Sequence, residues 1–147
     1  MTISKGEYKK MADKASPGTT YVKNTILAFV VGGGICTLGQ ALVNLYMNYG
    51  LELKDARAWV SISLIALSAL LTALKIYDNI AKHAGAGTLV PITGFANSIV
   101  APAMEFKSEG YVIGMGGKMF VIAGPVLVYG IAASILYGLI VWFFHLY

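Results

Sequence analysis

Long apolar runs alternate with short polar breaks along this chain. After a polar stretch of 23 residues (MTISKGEYKKMADKASPGTTYVK), residues 25–47 run for 23 positions without a charge, enough to cross a hydrocarbon core of about 30 Å at about 1.5 Å per residue. This pattern predicts a first membrane helix. A polar connection, NYGLELKDAR, leads into residues 58–76, AWVSISLIALSALLTALKI, a second helix of spanning length. Trp59 and Tyr77 flank it where interfacial aromatics belong, and Lys75 lies close enough to its end to snorkel toward headgroups. From Tyr111 to Tyr147 the chain carries one charge, Lys118, and one proline, Pro125. Those 37 residues exceed one ordinary crossing. Residues 111–117 (YVIGMGG) therefore read as a glycine-rich approach, and 119–145 as a third membrane helix, kinked near Pro125 and ending in the aromatic cluster WFFHLY.

The segment between the second and third helices fits this pattern poorly. Its uncharged part, residues 88–104, is 17 residues long, at the lower limit for crossing as one helix. Pro91 and Pro102 lack donors and Gly94 loosens the middle, so a broken segment is expected. Broken backbone at membrane depth survives only when buried in protein or lining a wet cavity, so the segment faces inward whether it spans or re-enters. Re-entry, the preferred reading, returns EFKSEG to the side from which the segment departed and sends the C-terminus to the opposite side. Spanning reverses both, and the two acids and two bases of this loop through Lys118 do not decide.

Composition agrees with a bilayer as solvent: 57% of residues are hydrophobic and 12% charged, with mean hydropathy +0.70. The net charge of +4 concentrates in the tail, where Lys5, Lys9, Lys10, Lys14 and Lys23 outnumber Glu7 and Asp13. Such a bias places the tail on the cytoplasmic side and is no nucleic-acid footprint. The tail is too long and too charged for the n-region of a cleaved signal peptide. The expected fold is an all-α integral membrane protein with a basic tail (1–24) and a single membrane domain (25–147), comprising three long helices and a broken, re-entrant segment.

Candidate chemistry is sparse. Cys36 has no second cysteine, the string GMGGK lacks the glycine spacing and hydroxyl residue of a phosphate loop, and His83 and His145 have no ligand or carboxylate at motif distance. No catalytic set, metal site or cofactor site is visible. Polar side chains inside a membrane are costly, so Gln40 and Asn44, one turn apart, are expected to meet Asn97 and Ser98. With Thr93 and Gly94 these form the candidate transport pathway, and Glu105, Lys107 and Lys118 its mouth. A half-helix favours anions at its N-terminus and cations at its C-terminus, and the residues leave both open. Small residues let helices approach closely: Gly32, Gly33 and Gly34 in the first helix, Ala66, Ala69 and Ala73 in the second, Gly130, Ser134 and Gly138 in the third. They serve contacts within the subunit or between subunits.

The strings AFVVGGGICTLGQ (28–40), PITGFANSIVAPAMEFKSEG (91–110) and KMFVIAGPVLVYG (118–130) together resemble the SpoVA family of spore membrane proteins, over nearly the whole chain from about residue 25. The resemblance implies a place in the spore inner-membrane complex that moves dipicolinic acid, with calcium, into the developing spore and out again on germination. It also implies tension-sensitive gating, and partners that include an AEb-like membrane relative and a soluble SpoVAD-like subunit. It supplies no residue-level site. The leading expectation is thus a non-enzymatic channel or transport subunit in the forespore inner membrane; the alternative is a non-conducting scaffold that recruits other subunits.

Overall fold

Every element in the described residues of the computed structural model, 4–15 and 20–146, is helical. Residues 1–3 and 16–19 of the expected tail, and residue 147 of the terminal aromatic cluster, lie outside them. The tail carries a helix, α1 (Lys5–Ala15), that starts on a capping box. The Glu7 N–H donates to the Ser4 hydroxyl (3.3 Å) and the Ser4 N–H to the Glu7 carboxylate (3.1 Å). The Ser4 backbone bond, and then its side chain, hold the Glu7 carboxyl below its ordinary value. α1 buries no residue.

Among the described residues, three stretches are long and apolar enough to cross a membrane: α2 (Tyr21–Asn48), α3 (Leu53–Ala73) and the 33-residue run Tyr111–Phe143. α2 ends on Gly50 at φ 91°, where the Gly50 and Leu51 N–H groups bond back to Met47 and Tyr46, a Schellman closure. α3 then folds back along α2, burying Ala56, Val60, Leu64, Ser68 and Thr72 at every fourth position. The apolar members of this stripe pack on Val43, Leu42 and Tyr46.

α3 is displaced from the expected 58–76. It starts five residues earlier because LKDAR is helix-competent and Asp55 suits the positive end of the helix dipole. It stops three residues earlier because Lys75 turns left-handed (φ 58°), with the Lys75 and Ile76 N–H groups bonding to Thr72 and Leu71. Lys75 is therefore in the turn beyond the helix, in the position a glycine usually takes.

The chain then makes α4 (Tyr77–Ala84), α5 (Ala86–Leu89) and α6 (Ile92–Glu105). The break falls at Pro91 (φ −65°, ψ 161°), and α6 runs unbroken through Gly94 and Pro102. Gly94 is there for closeness: a Cβ would collide with the Thr88 and Leu89 carbonyl oxygens of α5. Pro102 lies in the last turn, where its missing N–H deprives only the Ser98 carbonyl of its helical donor.

α6 is parallel to α3. Ser68 contacts Thr93 and Thr72 contacts Asn97, both with an offset of 25 residues, and Glu105 ends beside Lys75 and Asp78. The segment α4–α6 thus enters and leaves the helix bundle at one end. α6 has 14 residues, about 21 Å, too short to cross a core of about 30 Å. No residue from Thr93 to Ala103 is exposed, so its backbone is sheltered by protein.

A 3-10 turn (Phe106–Glu109), Gly110 at φ 103° and a π-helical turn (Tyr111–Gly116) connect to α7 (Phe120–Phe143). The glycine-rich approach is thus helical and continues the last span. α7 buries only Ala123. In contrast, α5 is clamped on α2: a Cβ on Gly87 would collide with the Ala28 carbonyl and lie 2.8 Å from the Ala28 Cα, and one on Gly32 would lie 3.2 Å from the Gly87 carbonyl. Gly87→Ala is therefore expected to destabilise the protein by about 1–3 kcal/mol through overpacking. Gly130→Ala, at a site with open space, should stay within about 0.5 kcal/mol. Thermal or denaturant unfolding in detergent measures both.

Candidate functional site

The lower half of the α3 stripe is polar, and it is this half that meets α6. The Ser68 hydroxyl donates to the Thr93 carbonyl at 2.6 Å, and the Thr72 hydroxyl lies 2.8 Å from both the Ser68 carbonyl and the Asn97 side-chain oxygen. From α4, the buried Tyr77 hydroxyl lies 3.0 Å from the Thr88 carbonyl and 3.1 Å from the Thr93 hydroxyl. Four elements, α3 to α6, are tied together by six side chains, Ser68, Thr72, Tyr77, Thr88, Thr93 and Asn97. No buried side-chain polar atom lacks a partner among the described residues.

Proton counting fixes the directions at Tyr77. Tyr77 has one proton, which goes to the Thr88 carbonyl, an acceptor only; the Thr93 hydroxyl then donates to Tyr77. Thr72 likewise has one proton for two neighbours. Its donation to the Ser68 carbonyl is the usual helical back-bond to residue i−4. Donation to the Asn97 side-chain oxygen is the other use of that proton, and it links α3 to α6.

Beside α6 lies a cavity of about 530 Å³ lined by Tyr77, Thr88, Gly94, Asn97, Ser98 and Glu105, with Pro102 and, from α7, Ile122. This is within the range of small-molecule sites, roughly 300–1,000 Å³. Glu105 is the one formally charged side chain of this lining. It also lines an adjoining recess of about 360 Å³ with Thr72, Lys75 and Asp78. Thr93, Asn97, Ala101 and Glu105 recur every fourth residue, so one face of α6 leads from the buried hydroxyl network to the charged end.

The other expected residues are placed elsewhere. Gln40 Nε2 donates to Asn44 Oδ1 at 3.0 Å on the exposed face of α2. The expected contact with Asn97 and Ser98 is not formed, because α3 supplies the partner of Asn97, and Ser98 donates to the Phe95 carbonyl of its own helix. Lys107 is exposed in the 3-10 turn. Lys118 Nζ lies 5.1 Å from the Phe106 ring centroid, a cation–π contact joining this turn to the base of α7. Of the small residues, Gly32 contacts Gly87, Gly34 lines a second cavity, and Gly33, Gly130 and Gly138 have open space at the Cβ position. Ser134 bonds the Gly130 carbonyl one turn back.

A family profile described as SpoVAC/SpoVAEB sporulation membrane protein matches residues 24–140. Stage V sporulation protein AC of Bacillus subtilis (strain 168) is 45% identical over 141 residues, covering 95% of this chain and 94% of that protein. The chain belongs to the SpoVAC/SpoVAEB family of sporulation membrane proteins. No solved structure matches it.

The SpoVAC/SpoVAEB match spans α2 through most of α7, and so takes in the whole lining of the α6 cavity, while the tail helix α1 lies outside it. Sequence reasoning missed Ser68, Thr72, Tyr77 and Thr88. Their signal was the spacing: Ser68 and Thr72 continue the every-fourth-residue stripe of Ala56, Val60 and Leu64. The alanines Ala66 and Ala73 are exposed and mark the wrong face of α3. A double-mutant cycle on Thr72→Val and Asn97→Ala should give a coupling of about 0.5–1.5 kcal/mol, the scale of hydrogen bonds between membrane helices. The same cycle on Gln40→Ala and Asn97→Ala should give about zero within 0.3–0.5 kcal/mol. Unfolding in mixed micelles reads both.

Proposed function

We propose that this protein is a non-enzymatic channel or transport subunit for dipicolinic acid with calcium, carrying it into the developing spore and releasing it during germination. The observation that carries the reading is the half-open cavity along α6, where Asn97, Ser98 and Glu105 stand among mostly apolar walls, next to a charged recess at the end of α3. Its size suits a small planar acid. Its charge suits one species best: with Glu105 the charged group of the lining and Lys107 and Lys118 outside it, a free dianion meets repulsion, whereas the one-to-one calcium chelate is neutral.

In this reading Thr93, Gly94, Asn97 and Ser98 form the pathway, Glu105 its mouth, and Gln40 and Asn44 face other subunits, since a polar pair on an exposed membrane face is costly against lipid. The membrane partner is an AEb-like relative, and a soluble SpoVAD-like protein completes the complex. The site of action is the forespore inner membrane, with the basic tail on the cytoplasmic side and the C-terminus opposite. Opening under tension requires only that the open state occupy more in-plane area than the closed one.

The nearly uncovered α7, with Gly130 and Gly138 open, also supports the scaffold reading, in which the chain recruits the pore without lining it. Liposomes carrying the chain with its relatives, loaded with calcium dipicolinate, separate the two. A conducting role predicts dipicolinate release under tension or a chemical trigger, and a change of about fivefold on Asn97→Ala with assembly intact, the worth of one hydrogen bond of about 1 kcal/mol. Absence of release removes the conducting role, and loss of assembly with unchanged release per complex favours the scaffold.

A further inference from the structure

Two further cavities lie along the groove between α2 and α4. The first, about 270 Å³, opens where α2 and α3 splay apart: Gly34, Ile35 and Leu38 of α2, Leu67 and Leu71 of α3 and Ile80 of α4 line it. The two long helices bury apolar side chains around Val43, Val60 and Leu64, and Leu64 also lines this cavity. Leu38, Leu67 and Ile80 are 44%, 41% and 39% exposed, so the rim is open, and Ile35 and Leu38 lie in the middle third of α2, at hydrocarbon depth. The polar groups at its floor, Ser68, Tyr77, Thr88 and Thr93, already bond one another. A ligand there gains no hydrogen bond and must be apolar. A dry cavity of about 150 Å³ already admits benzene, so this one takes several methylenes of a chain.

The second cavity, about 440 Å³, is polar and lies toward the start of α2, lined by Tyr21, Asn24 and Thr25 with Lys82 and His83 of α4. It is at the level where the apolar run of α2 meets the basic tail. Both cavities share the same two helices: Ile80 lines one and His83, three residues on, the other. Lys82 is exposed and has no ion pair among the described residues. An apolar slot at hydrocarbon depth, with a cation and hydroxyl and amide groups at headgroup depth, matches a molecule with a chain at one end and an anion at the other.

We propose that the α2–α4 groove holds one anionic phospholipid, its phosphate on Lys82 with Asn24 and Thr25, and one acyl chain in the cavity beneath Gly34. This site lies against the α6 cavity, with Tyr77 and Thr88 forming part of the wall of each, and it stands whether or not the chain conducts. The test uses the full chain in phosphatidylcholine vesicles containing phosphatidylglycerol with a mid-chain diazirine. Photolysis is expected to label peptides holding Val31–Leu38 and Leu64–Leu71 above the all-round exposed α7. Unlabelled phosphatidylglycerol should compete about fivefold better than phosphatidylcholine, the contribution of one lysine near an anionic headgroup. Gly34→Phe, at a position with open space for a side chain, should remove the cavity labelling and leave that of α7, and Lys82→Gln should abolish the headgroup preference. Labelling no greater in the cavity peptides than in α7, or equal competition by the two lipids on the unsubstituted chain, overturns the proposal, and neither readout depends on a variant folding. Unlabelled cavity peptides would mean that protein, such as a second copy, closes the groove.

Discussion

A chain that breaks its helix inside a membrane must find hydrogen-bond partners for that backbone within the protein, because hydrocarbon offers none and each orphaned group costs several kcal/mol. Here the constraint is met from α3. Ser68 bonds the Thr93 carbonyl, Thr72 bonds Asn97, and Tyr77 closes the start of α4 onto Thr88 and Thr93. These contacts fix α6 parallel to α3 in a single register. The rest follows from that register: where α6 ends, which end of the bundle receives Glu105, and from which end α7 must set out.

Close approach completes what hydrogen bonding begins. Lipid gives helices little reason to associate, so small residues must let backbones touch. Gly87 against Ala28 and Gly32, and Gly94 against the end of α5, are the places where a side chain has no room. They lock the short α4–α6 segment between the two long helices. α7, with only Ala123 buried and Lys118 resting on Phe106, is attached at its base alone. The same tight segment leaves a cavity beside α6 that carries Asn97, Ser98 and Glu105 and an almost wholly apolar cavity beside α2, which is why two different ligand chemistries are proposed for two places.

The spanning helices were legible because their signal is length without charge, which depends on no partner. Their ends were less so: Lys75 reads as a residue of the second helix until its left-handed turn is seen. The tail helix was legible in principle, since Ser4 and Glu7 have the spacing of a capping box, but a polar, lysine-rich stretch hides it from a hydropathy reading. In residues 88–104 the prolines rightly announced a break. Only the fold could show that it falls at Pro91, and that Gly94 serves contact in place of flexibility. Asn97 was visible as a costly polar group, but its partner was not, because a hydroxyl on α3 looks like any other serine or threonine until the stripe it extends is placed against α6.

The central claim is that α4–α6 enters and leaves the membrane on one side. In a Cys36→Ala background, single cysteines at Lys9, Lys54, Lys107 and Leu146 would be probed from each side of sealed vesicles with a membrane-impermeant maleimide. The account predicts that Lys9 and Lys107 react from one side and Lys54 and Leu146 from the other. Reaction of Lys107 together with Lys54 would make α6 a crossing and contradict it.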